Sequence, residues 1–166
     1  MKGCDASVLL DDTPTMLGEK HAIPNINSLR SFEVIDEIKN ALEKVCPGVV
    51  SCADIIIMAS RDAVSLTGGP KWEVKLGRKD SLTASQEESN ILPSPRLNAS
   101  LLIDTFGNFN LSTKDLVALS GAHSLGKASQ NQSAFFEAFV EGMIRLGDMR
   151  AVRRAWRDQA QLQDHQ

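Results

Sequence analysis

The sequence predicts a mainly α-helical domain, and three observations carry that prediction. Apolar residues recur at spacings of three and four through several segments, which is the period of a one-sided helix. Ser51 and Ser112 are each followed three residues later by aspartate, the pattern of a side chain that satisfies free backbone N–H groups at a helix start. Only one short stretch, Trp72-Glu73-Val74, reads as a strand. A chain of 166 residues is long enough for one domain that buries roughly 68–70% of its unfolded surface.

The elements follow in order. Residues 1–30 read as loop, punctuated by Asp11-Asp12-Thr13-Pro14, Gly18 and Pro24, residues that favour turns. Ser31 opens a helix on Phe32, Ile35, Ile38, Leu42 and Val45, ended by Pro47-Gly48. Ser51 and Asp54 open a second, from Ile55 to Leu66, stopped by Gly68-Gly69-Pro70. Because Ile55-Ile56-Ile57-Met58 leaves few polar faces, this helix is expected to be central and buried. Residues 71–97 read as irregular apart from the strand at 72–74. A short helix is expected from Ala99 to Phe109, and another from Ser112 through Leu116, Leu119 and His123 toward Gly126. A last amphipathic helix, from about Ala134 to Leu146, uses Phe135, Phe136, Phe139, Met143 and Leu146; the Arg-rich tail from Asp148 extends it or frays.

Charge narrows the function classes. A net charge of −3 and a pI near 5.6 give no electrostatic footprint for nucleic acid. Arg150, Arg153, Arg154 and Arg157 read as a solvated helix face. No apolar run approaches the length of a membrane span, and the start, Met-Lys-Gly-Cys-Asp, lacks the apolar region of a signal peptide. Three cysteines, Cys4, Cys46 and Cys52, are an odd number, so at least one cannot pair within the chain. Sequons at Asn98, Asn110 and Asn131 point instead to an exported ancestor.

His123 is the residue with the most chemistry. Leu116, Leu119 and His123 fall at i, i+3 and i+7 on one helix face. Gly121 and Ala122 before it are small, which would let a flat ligand approach the backbone. Neutral imidazole is a common axial ligand of haem iron; a core histidine hydrogen-bonded to a carbonyl fits the same placement.

Four ordered motifs go further. Asp115-Leu116-Val117-Ala118-Leu119-Ser120-Gly121-Ala122-His123-Ser124-Leu125-Gly126 resembles the proximal signature of plant secretory (class III) haem peroxidases. Gly3-Cys4-Asp5-Ala6-Ser7-Val8-Leu9-Leu10 resembles the segment after that family's distal histidine. Cys46-Pro47-Gly48-Val49-Val50-Ser51-Cys52-Ala53-Asp54 is similar to a third motif, and Gly68-Gly69-Pro70 with Leu76-Gly77-Arg78-Lys79-Asp80 to a fourth. The chain is identified on these as a member, with a partial peroxidase fold: residues 1–128 form the core fragment, and 129–166 a C-terminal helical remnant with a basic tail.

The resemblance implies haem b with His123 as axial ligand. It implies calcium at two sites: Gly3, Asp5 and Ser7 as distal ligands, with Glu19 helping to hold them, and Ser124 as the first proximal ligand. Such oxygens suit calcium. Pro93 falls where the family contacts aromatic donors, and Asn25 where an amide orients the distal histidine. The implied activity is hydrogen peroxide removal with small phenolic donors, in a secreted monomer of the cell wall or vacuole responding to oxidative stress, without nucleic-acid or membrane partners.

It also implies losses. The family's distal arginine and histidine precede the Gly-Cys-Asp segment, where this chain has only Met1 and Lys2; no catalytic residue is retained, and His21 in its loop is no substitute. The segment after His123 that holds the remaining proximal calcium ligands and the histidine's aspartate partner is missing, so both calcium sites are incomplete. The family partners of Cys4, Cys46 and Cys52 also fall outside the chain. The expectation is a truncated peroxidase with impaired activity, or else a non-catalytic haem binder or a product without function.

Overall fold

In the computed structural model, residues 4–94, 96–121 and 132–148 are described. Six α-helices fall within them: α1 (Phe32–Val45), α2 (Cys52–Leu66), α3 (Gln86–Ser89), α4 (Ala99–Gly107), α5 (Thr113–Ser120) and α6 (Gln132–Gly147). Single 3-10 turns at Ser7–Leu9 and Glu19–His21 shape the N-terminal loop. The mainly α prediction is borne out. Among the described residues no helix is long and apolar enough to cross a membrane.

The expected strand at Trp72-Glu73-Val74 does not form. Those residues run through irregular backbone, and among the described residues the one isolated bridge joins Thr13 to Met16. Trp72 is nevertheless buried and meets Phe139 edge to face, with ring centroids 6.2 Å apart. The apolar residue marks burial against α6, because no neighbouring extended segment is there to pair with it.

Helix α1 lies against α2, and its Phe32, Ile35 and Leu42 are half-buried. Ile38 and Val45, assigned to the same face by sequence, are exposed, Val45 by 84%. Ser31 supplies no side-chain cap; it sits at φ 63, in the left-handed region. Helix α2 also departs from expectation, being buried only at Ala53, Asp54 and Ile55, with Leu66 exposed. Its first turn is locked into the fold, while Ile56, Ile57 and Ser60 border a cavity.

That lock is built from two motifs about 25 residues apart. Ser51 Oγ accepts from the Asp54 N–H at 3.1 Å, as the sequence pattern predicts. The Asp54 carboxylate does not close the box. It accepts instead from the N–H groups of Gly77 at 2.6 Å and Arg78 at 3.2 Å, and from the Arg78 guanidinium at 3.4 Å. Gly77 at φ 106 turns the loop so that two successive N–H groups meet one carboxylate, a conformation that favours glycine. In return, Asp80 reaches back to the N–H groups of Cys52 at 2.9 Å and Ala53 at 2.8 Å, unpaired donors of the first turn of α2. Arg78 also donates to the Gly147 carbonyl at 2.8 Å, at the end of α6, and to the Lys75 carbonyl.

One helix was missed. Ser85 caps α3 by accepting from the Glu88 N–H at 3.2 Å, and the signal, Ser-x-x-Glu, stands in the sequence. Helix α4 begins one residue after its cap, Asn98, whose Oδ1 accepts from the Leu101 N–H at 3.0 Å. It ends at Gly107, two residues short of the expected Phe109.

The lock has a measurable consequence. Asp80→Ala leaves two helix-start N–H groups without their acceptor and is expected to lower stability by about 1 kcal/mol. Asp54→Ala strips a buried carboxylate from a largely buried guanidinium and is expected to cost more, on the order of 3 kcal/mol. Urea unfolding followed by circular dichroism measures both; equal effects would break the ranking.

Candidate functional site

The sequence points to the end of α5, and the structure shows what positions that helix. Ser112 and Asp115 form a complete capping box. Ser112 Oγ accepts from the Asp115 N–H at 3.2 Å, and the Asp115 carboxylate accepts from the Ser112 N–H at 2.8 Å and its hydroxyl at 2.6 Å. Asp115 is 1% exposed, and its other oxygen accepts from Arg145 of α6 at 2.5 Å. Burial pushes this carboxyl up, but hydrogen bonds from Ser112 and Arg145 outweigh it and hold the group below the ordinary aspartate value.

Helices α5 and α6 form an antiparallel pair. Arg145 and Glu141 near the end of α6 meet Asp115 and Lys114 at the start of α5, while Phe135 near the start of α6 meets Gly121 at the end of α5. Gly142 allows the close approach midway: a Cβ there would stand 3.2 Å from Leu119. At the other end a Cβ on Gly121 would fall 2.4 Å from the Phe135 ring. Phe135 stacks on Phe139 with centroids 5.9 Å apart, and Phe139 meets Trp72. His123 and Ser124 lie outside the described residues, as do Gly3 and the Asn131 sequon.

A second group of candidates gathers at the N-terminal loop. Asp5, Ser7 and Glu19 all border one cavity of about 320 Å³, together with Ile56 of α2 and Met143 of α6. Asp5 accepts from the Ser7 N–H at 3.2 Å through its carboxylate and from the Ser81 N–H at 2.7 Å through its carbonyl. Glu19 Oε1 accepts from the Ser85 N–H at 3.2 Å, anchoring the start of α3. Asn25 donates through Nδ2 to the Glu19 carbonyl at 2.8 Å. Pro93 lies half-buried in the loop before α4, outside both groups. His21 is exposed and pairs with Asp12 at 2.9 Å.

The three thiols are free, with Cys4 exposed and Cys46 and Cys52 half-buried. Cys4 is exposed as a residue, but its sulfur lies 4.0 Å from the Leu146 carbonyl at the cavity border, and burial of that end pushes the thiol up. Burial raises the Cys52 thiol as well, with nearby Asp80 adding to the effect. Raised thiols hold less of the nucleophilic thiolate.

A family model described as Peroxidase matches residues 1–162. The chain belongs to the peroxidase family. It is 73% identical over 128 residues to Peroxidase 17 of Arabidopsis thaliana, covering 76% of this chain and 39% of that protein. It is 64% identical over 129 residues to Peroxidase 40 of the same plant, covering 77% and 37%. The lignin-forming anionic peroxidase of Nicotiana sylvestris is 54% identical over 129 residues, covering 77% and 40%. The chain thus spans about two fifths of the length of these relatives, and the resemblance carried by the four motifs is borne out.

Peroxidase membership implies cofactors that the geometry can test. Calcium takes six to eight oxygens, yet among the described residues no group of three or more His, Cys, Asp or Glu side chains could hold a metal ion. Asp5 and Glu19 each have an oxygen engaged by a backbone N–H. At the end of α5 the Phe135 ring lies against the backbone of Gly121. The 320 Å³ cavity is bordered by the N-terminal loop, α2 and α6, not by α5. Of the expected calcium oxygens, those of Asp5, Ser7 and Glu19 border this cavity, while Gly3, Ser124 and His123 lie outside the described residues.

Arg78 and Asp80 stand in the sequence only as part of the fourth motif and Arg145 carries no sequence signal, although each fixes an element on which the candidates sit. Their long-range partners lie 24 to 69 residues away, beyond any local pattern.

Because Asp115 titrates below its unfolded value, its contribution to stability is present above the unfolded carboxylate range near pH 4. It is lost as pH falls through the lower folded value. Asp115→Asn is expected to destabilise the chain by about 1–2 kcal/mol at pH 7 and by progressively less below pH 4. Thermal melts at pH 7, 5 and 3 measure this; a difference that grows on acidification would contradict it.

Proposed function

We propose that the chain is the haem-ligating portion of a donor:hydrogen-peroxide oxidoreductase, from the distal calcium loop through the proximal helix. Its cofactor is haem b on His123, its oxidant hydrogen peroxide and its donors small phenolic molecules. One observation supports this most directly: the family match runs over residues 1–162 and so takes in His123, three residues beyond the helix that the Ser112–Asp115 box starts. Residues 1–128 are the peroxidase core in this reading and 129–166 a helical remnant. Gly3, Asp5, Ser7 and Glu19 belong to a distal calcium site, Ser124 to a proximal one, and Pro93 to the donor approach. Asn25 supports the distal side by stapling the loop that carries Glu19. The protein is an exported monomer acting in peroxide removal under oxidative stress.

The activity belongs to the family-length protein. In this reading the distal arginine and histidine that move a proton between peroxide oxygens belong to the family-length protein, of which the 166 residues span about two fifths. A positioned group of that kind contributes about 10²–10⁴ in rate.

A haemin-supplemented assay with peroxide and a guaiacol-type donor tests the proposal. The family-length protein is expected to oxidise donor and to lose both this activity and its Soret band in His123→Ala. The 166-residue chain is expected to be slower by at least about 10². Family-like turnover by the short chain would overturn the impairment, and full activity in His123→Ala would overturn the ligand assignment.

A further inference from the structure

We infer that Asn98 is an N-glycosylation site, occupied ahead of Asn110, whose amide nitrogen carries the sugar while its oxygen caps α4. The inference rests on the reading that the protein is exported, because the transferase and its sugar donor lie on that route.

Of the three sequons, those at Asn98 and Asn110 fall within the described residues. A sequon needs an asparagine amide and, two residues on, a serine or threonine hydroxyl. At Asn98-Ala99-Ser100 all three residues are exposed. Asn98 Oδ1 accepts from the Leu101 N–H at 3.0 Å. Among the described residues, neither Asn98 Nδ2 nor Ser100 Oγ has a hydrogen-bond partner. The amide is thus divided: its oxygen is committed to the helix, and its nitrogen faces no competitor.

Glycosyl transfer leaves that division intact. Nδ2 attacks the anomeric carbon of an oligosaccharide carried on a lipid diphosphate. The carbon–nitrogen bond forms as the anomeric carbon–oxygen bond breaks. The lipid diphosphate leaves with the electron pair, and one Nδ2 proton passes to a base of the transferase. Oδ1 remains an amide oxygen with its lone pairs, so it still satisfies the Leu101 N–H. The bulky sugar stays in water, as such modifications require.

Asn110-Leu111-Ser112 has the same pattern but is tied into the fold. Leu111 is buried. The Ser112 hydroxyl donates to Asp115 Oδ2 at 2.6 Å and accepts from the Asp115 N–H at 3.2 Å, and Asp115 in turn holds Arg145 of α6. Offering that hydroxyl to a transferase means opening the box that starts α5. At Asn98 only the first turn of a nine-residue helix has to unwind.

Secretion of the family-length protein from a eukaryotic host tests this, followed by peptide N-glycosidase digestion in heavy-oxygen water and peptide mass spectrometry. Only an asparagine that carried a sugar becomes labelled aspartate. One preparation keeps the natural N-terminal sequence, and a second uses a host secretory leader. Asn98 is expected to be labelled in most molecules and Asn110 in a smaller fraction. Ser100→Ala and Asn98→Asp are each expected to lose the label at 98, and Ser100→Thr to keep it. Asn98→Asp retains a capping oxygen, so Asn98→Ala is expected to melt at a lower temperature than Asn98→Asp.

An unlabelled Asn98 in protein secreted behind the host leader would overturn the site. Labelling of Asn110 as complete as that of Asn98 would overturn the order of occupancy, and equal melting of the two Asn98 variants the capping role. Label at Asn98 behind the host leader but not with the natural N-terminal sequence would leave the site standing and remove the export reading.

Discussion

The fold depends on two aspartates that exchange backbone partners across a gap in sequence. Asp54, in the first turn of α2, takes the N–H groups of Gly77 and Arg78, and Asp80 takes the N–H groups of Cys52 and Ala53. Each carboxylate satisfies donors that would otherwise be unpaired at a helix start or within a loop. The exchange fixes the irregular segment 71–84 against α2 without any sheet. Arg78 sits between the two aspartates in sequence and extends the arrangement to the Gly147 carbonyl, so one short segment connects α2 with the end of α6.

From that anchor the rest follows in two directions. Trp72, carried by the same segment, is delivered to Phe139, which helps place α6 over α5. Ser81, just beyond Asp80, donates to the Asp5 carbonyl, which holds the N-terminal loop and its candidate calcium oxygens against the helices. The cavity between that loop, α2 and α6 is what remains where these elements meet without filling the space. Its apolar border, including Ile56 and Met143, explains why α2 is not buried all round.

The pairing of α5 with α6 shows how local and distant interactions share one residue. Asp115 completes its own helix cap and, through its second oxygen, recruits Arg145 from α6. The charge is tolerated at 1% exposure because a carboxylate with several donors stays ionised where a lone one would not. The same helix pairing brings Phe135 to Gly121, so the interaction that steadies α5 also closes its far end.

Much was legible in the residues themselves. Helical period, Ser-x-x-Asp starts and Gly/Pro stops are local, and they locate α1, α2, α4, α5 and α6; α3 has a start signal at Ser85 but spans too few residues to show an apolar period. The motifs around His123 and Asp54 were enough for the family, because ordered residue identities survive without coordinates. What sequence could not decide was the partner of each group. Asp54 reads as a local cap and serves a distant loop; Trp72 reads as a strand and serves a loop–helix contact; Gly121 reads as space for a ligand and holds a phenylalanine. Propensity acts over a few residues, whereas a carboxylate, a ring or an open backbone takes whatever the folded chain brings nearest, and that choice belongs to the tertiary structure alone.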